Sequence, residues 1–87
     1  MDDLTQSAPE SLRAWMDELG VGPTAIARAV GKTAEAVYGW LEGKYRPEAL
    51  VRAKLERFTN GRVPAWLWLT DGERAEIEHV QPFAATG

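Results

Sequence analysis

PTAIARAVGKTAEAVYGWLEGKYRP, residues 23–47, decides how the rest of the chain is read. Ile26, Ala27 and Val30 share one side of a short helical pattern, which Pro23 can begin without losing a hydrogen bond because the first helical N–H has no partner inside the helix. Gly31 ends that pattern, since glycine takes the positive φ that closes a helix. Thr33 is a good N-cap for the next helix, in which Val37, Trp40 and Leu41 form the inward set and Gly43 is the stop. Both helices are barely two turns long, in a chain of 87 residues that must gather nearly every apolar residue into one core.

Working outward, Ser7 followed by Glu10 fits a capping box, and Leu12, Trp15, Met16 and Leu19 then recur at helical spacing until Gly20. Beyond the bend at Tyr45, Arg46 and Pro47, a fourth helix is expected from Pro47 to about Asn60, burying Leu50, Val51, Leu55 and Phe58 and closed by Gly61. Residues 63–83, VPAWLWLTDGERAEIEHVQPF, carry two signals. Pro64, or Thr70 with Glu73, could start helices; Asp71-Gly72 is the dipeptide of a type I′ hairpin, and pairing outward from it places Trp66, Trp68, Ala75 and Ile77 on one face. The hairpin fits better, because residues two apart on an α-helix point roughly 200° apart and the tryptophans would then share no face.

The fold expected is mainly α: a single domain over residues 1–87, with four short helices and a β-hairpin at 65–83. Cysteine is absent, which removes disulfides, thiolate ligands and thiol catalysis and suits a reducing compartment. No window has the apolar length of a membrane span, and MDDLTQSAPE is acidic rather than a basic stretch with an apolar run, so a cytoplasmic protein is expected.

The net charge of −3 is unevenly spread. Residues 23–62 hold Arg28, Lys32, Lys44, Arg46, Arg52, Lys54, Arg57 and Arg62 against Glu35, Glu42, Glu48 and Glu56, a net of +4, whereas residues 1–22 sum to −4 and 63–87 to −3. A basic centre between acidic flanks steers polyanions toward the opening stretch.

Two short helices joined by a glycine turn are the parts of a helix-turn-helix, here over residues 23–43. Ile26-Ala27, Gly31, Thr33, Val37, Trp40 and Gly43 stand where the pattern of the phage repressor and Cro family has its conserved places, and the chain resembles that family there. Asp71-Gly72 and Pro82-Phe83 resemble the C-terminal end of its Cro-type members, where a strand, a turn and a second strand build the dimer interface. The chain departs from the pattern where Pro23 replaces a glutamine that braces on phosphate, and where Lys32 replaces a small apolar residue.

The resemblance implies that Thr24, Arg28, Lys32, Lys44 and Arg46 hold phosphates of a double-stranded DNA operator. It places Thr33, Ala34, Glu35, Tyr38 and Gly39 in the major groove and makes Trp66, Trp68, Ile77 and Phe83 a homodimer interface. With no Arg, Gln or Asn on the base-facing side, Glu35 is left for cytosine N4, Ala34 for thymine methyls and Tyr38 for apolar or hydroxyl contact, while the bare Gly39 lets the backbone approach DNA. A sequence-specific repressor binding as a dimer is therefore expected. The alternative is the same scaffold turned to protein capture through Trp66, Trp68 and Phe83. No nucleophile stands near a base, no paired carboxylates and no phosphate loop occur, and His79 stands alone, so neither an enzyme nor a metal, cofactor or small-molecule site is expected.

Overall fold

The computed structural model describes residues 7–84. Among them the chain forms five α-helices, α1 (Ala8–Leu19), α2 (Pro23–Val30), α3 (Ala34–Leu41), α4 (Ala49–Phe58) and α5 (Asp71–Glu78), with a short 3₁₀ turn at Ala65–Trp68 between the last two. The mainly helical class stands. Among the described residues no helix is long and apolar enough to cross a membrane.

The first three helices begin where their caps lie. Ser7 Oγ accepts the Glu10 N–H (3.2 Å) while the Glu10 carboxylate accepts the Ser7 N–H (3.0 Å), so two otherwise unpaired donors are satisfied at the start of α1. α2 starts at Pro23 and ends at Gly31, whose φ of 75° is the left-handed conformation that the turn into α3 requires. Thr33 Oγ1 then accepts the Ala36 N–H (3.1 Å) and opens α3.

These helices bury one face each. Leu12, Trp15 and Met16 of α1, Ile26, Ala27 and Val30 of α2, Val37, Trp40 and Leu41 of α3, and Val51 and Leu55 of α4 form one core with Val63 and Trp68. α2 packs on α3 and α4, α1 packs on α3, and α4 packs on the 3₁₀ turn. The small Ala27 lies buried among them. Arg13 Nη2 donates to the Leu41 carbonyl (3.4 Å), tying α1 to the end of α3. Thr59 is fully buried; its hydroxyl donates to the Leu55 carbonyl (2.8 Å) and accepts the Val63 N–H (3.1 Å), which closes α4 and turns Val63 into the core.

α4 differs from expectation at both ends. It begins at Ala49 with Glu48 as its cap, Pro47 being buried in the preceding bend, and Leu50 is exposed rather than in the core. Phe58 is partly exposed and meets Trp15 edge to face, with ring centroids 5.5 Å apart. Leu19 is also exposed, at the end of α1.

The larger correction concerns residues 65–83. No strand occurs there among the described residues, so the β-hairpin and its shared tryptophan face are not formed. Asp71-Gly72 is used instead as the first turn of α5. Thr70 Oγ1 accepts the Glu73 N–H (3.1 Å) and Glu73 Oε1 accepts the Thr70 N–H (2.8 Å), a second capping box. Asp71 and Glu73 lie at the helix N-terminus, where negative charge is favourable. A type I′ turn needs positive φ at both central residues, and neither Asp71 nor Gly72 has it. At about three residues per turn the 3₁₀ segment sends positions two apart in different directions. Trp68 is accordingly buried while Trp66 is exposed.

Candidate nucleic-acid interface

α3 has two opposed faces. Val37, Trp40 and Leu41 are locked into the core, which leaves Glu35 and Tyr38 exposed and Ala34 half-buried beside them. Glu35 makes no hydrogen bond or ion pair among the described residues. Thr33 is occupied as the cap, so its hydroxyl serves the helix first.

Gly39 is not open to an incoming ligand as its lack of a side chain suggests. It is buried, and the ring of Tyr45 lies over it so closely that a β-carbon built at Gly39 would overlap the far end of that ring. Tyr45 itself is 52% exposed, the same fraction as Tyr38. The two tyrosines, with Glu35, Gly39, Glu42 and Lys44, line one shallow open hollow of about 410 Å³ on the outward side of α3. Tyr45 was missed in the sequence. The signal for it was a glycine inside a helix, where glycine costs about 1 kcal/mol relative to alanine and calls for a packing reason.

Of the five residues expected on phosphates, three are paired with carboxylates. Lys32 Nζ lies 2.7 Å from Glu48, Lys44 Nζ lies 3.2 Å from Glu42, and Arg46 Nη1 lies 2.7 Å from Glu73. The hydrogen bond from Lys32 holds the Glu48 carboxyl below its ordinary pKa. Arg46 is more deeply committed: it also donates to the Trp68 carbonyl (3.1 Å) and, through Nη2, to the second Glu73 oxygen (3.4 Å). Glu73 is held down at about 2, first by the Arg46 hydrogen bond and next by the Thr70 N–H. Arg46 thus fastens the bend after α3 to the first turn of α5. Lys32, Tyr45, Arg46 and Glu48 lie around one hollow on this side of the fold. Arg28 is exposed, without a hydrogen bond or ion pair among the described residues, and Thr24 is exposed in the first turn of α2, which has no side-chain cap. Single exposed ion pairs contribute little, so Lys32 and Lys44 are only loosely held by Glu48 and Glu42, whereas the two-pronged contact of Arg46 to Glu73 is not of that kind.

The four residues expected at a subunit interface separate. Trp68 is in the core, Trp66 is 55% exposed beneath the Arg74 guanidinium (5.2 Å to the ring centroid), and Ile77 and Phe83 are exposed on and after α5, with Val80 between them. Among the described residues no cluster of His, Cys, Asp or Glu could hold a metal ion. No protein-family model, no curated protein and no solved structure matches the chain.

Proposed function

We propose that the chain binds double-stranded DNA, with α2 and α3 acting as a helix-turn-helix and α3 entering the major groove. Within that class, the reading is a dimeric transcriptional repressor of the phage Cro type, a cytoplasmic protein without catalytic activity or cofactor that occupies an operator and blocks RNA polymerase. One observation carries it: α3 is anchored by Val37, Trp40 and Leu41 while Glu35, Tyr38 and Tyr45 stand exposed on its other side. Thr24, Arg28, Lys32 and Lys44 then serve as phosphate contacts, while Arg46 is taken up in fastening α5. With the hairpin gone, pairing of two subunits falls to the exposed apolar residues Trp66, Ile77, Val80 and Phe83, and a two-fold dimer would set its recognition helices about 34 Å apart.

A second reading, a scaffold that captures a protein through the Trp66 and Phe83 surface, is favoured by the ion pairing of Lys32, Lys44 and Arg46 and by the lack of basic or amide side chains on the outer face of α3. Fluorescence anisotropy separates the two. With a duplex from upstream of the protein's own gene and a scrambled duplex, at low and physiological salt, the repressor reading expects preference for the former and affinity falling by roughly 0.9 log units per log unit of salt for each phosphate neutralised. Arg28→Ala with Lys32→Ala should flatten that slope. Equal, feeble binding to both duplexes overturns the repressor reading and directs the search to a protein partner.

A further inference from the structure

We infer that Tyr45 completes the base-reading surface of α3, and that this surface selects pyrimidine edges: the N4 amine of a cytosine at Glu35 and the C5-methyl groups of thymines against Tyr38 and Tyr45. The inference rests on the DNA-binding reading and adds to it what is read and by which residue outside the helix.

The argument begins at Gly39. A glycine in the interior of an eight-residue helix is unfavourable, and here it neither takes a positive φ nor lies open to solvent. Its bare Cα is the seat of the Tyr45 ring. That seat brings an aromatic residue from the bend after α3 back onto the outward side of the helix, beside Tyr38 and Glu35 in the same hollow. Both tyrosines keep about half of their surface exposed, so each ring is open to a ligand in the hollow.

The chemistry of the hollow restricts what can fill it. Glu35 is an unpaired acceptor, so it repels phosphate and the O6 and N7 acceptors of guanine, and it attracts an exocyclic amine. Adenine presents its amine next to its own N7 acceptor, whereas the major-groove edge of cytosine carries the N4 amine beside a C5–H and no acceptor of its own, the guanine O6 lying on the far side; the carboxylate therefore favours cytosine. Lys44, the cation in the hollow, is paired with Glu42. The apolar contribution in the hollow comes from the two aromatic rings, and the apolar feature offered by the major groove is the thymine C5-methyl.

The test uses a duplex enriched from a random-sequence pool by the full-length protein, then remade with uracil in place of thymine in each half-site. Removing a buried methyl should weaken binding about three- to fivefold per contacted position. Tyr45→Ala should remove the thymine-over-uracil discrimination at the position Tyr45 contacts, leaving that at Tyr38 and the salt slope unchanged. Gly39→Ala should do the same, because the new β-carbon displaces the flexible end of the Tyr45 side chain although alanine is the better helix former. Circular dichroism confirms that both variants keep the fold, and Tyr38→Ala, which disturbs no seat, provides an independent reading of the discrimination at its own position. If an enriched duplex is bound and thymine and uracil bind alike, the inference is overturned and the DNA-binding reading survives. Failure of the pool to enrich overturns both.

Discussion

α3 and α5 are each eight residues long, and each begins at a threonine whose hydroxyl accepts a backbone N–H at 3.1 Å. By local criteria α5 is the better provided, because Glu73 completes its capping box and Asp71 and Glu73 both favour the helix dipole. Yet α3 buries Val37, Gly39, Trp40 and Leu41, and α5 buries no residue. α5 is held by polar links instead: Arg46 to Glu73, Arg74 Nη2 to the Leu67 carbonyl (3.1 Å), and the Arg74 guanidinium over Trp66. Caps decide where a helix starts; apolar burial decides how firmly it is joined to the rest.

The largest expected effect follows from removing burial on one side only. Trp40→Ala should destabilise the domain by about 3–5 kcal/mol, a large part of the total for a chain this size, whereas Ile77→Ala should change it by less than about 0.5 kcal/mol. Urea denaturation followed by far-ultraviolet circular dichroism measures both, and comparable losses would mean that α5 is integral to the core.

A smaller contrast lies in the caps. Thr33→Ala should lower global stability by about 1 kcal/mol, since α3 cannot loosen without the core. Thr70→Ala should leave the global midpoint nearly unchanged and speed amide exchange in α5 alone. An equal drop in global midpoint for the two variants would remove the distinction between the helices.

The smallest effect is set by pH. The folded pKa of Glu73, about 2, lies below its ordinary 4.5, so the tie to Arg46 is fully in place above about 4.5 and is lost as pH falls through about 2. Protection of the α5 amides, taken relative to their intrinsic exchange at each pH, should therefore fall across that window in the natural protein. Glu73→Gln should show the lower protection already at neutral pH, and identical protection profiles for the two would show that this contact does not hold α5.

The same contrast explains what could be read from the sequence. α1, α2 and α3 were legible because a cap, an apolar stripe and a glycine agreed in each: Ser7 with Leu12 and Trp15, Pro23 with Ile26 and Gly31, Thr33 with Val37 and Trp40. In residues 63–83 the signals conflicted. Asp71-Gly72 serves a hairpin and a helical first turn equally well, and with no inward set on α5 there was no apolar stripe to arbitrate. For the candidate interface, Glu35 and Tyr38 were legible from their position opposite Val37 and Trp40. The places of Tyr45 and Arg46 were not, because one depends on the seat at Gly39 and the other on a glutamate 27 positions away.

The fit of Tyr45 onto Gly39 also governs the order in which this surface can change by mutation. While Tyr45 is present, any side chain at position 39 displaces the ring, so the helix forgoes about 1 kcal/mol of propensity that alanine would supply. Once position 45 carries a small residue, position 39 is released and the same alanine becomes a simple improvement. The two sites are coupled though six residues apart, and a lineage that has lost the tyrosine would have no remaining reason to keep the glycine.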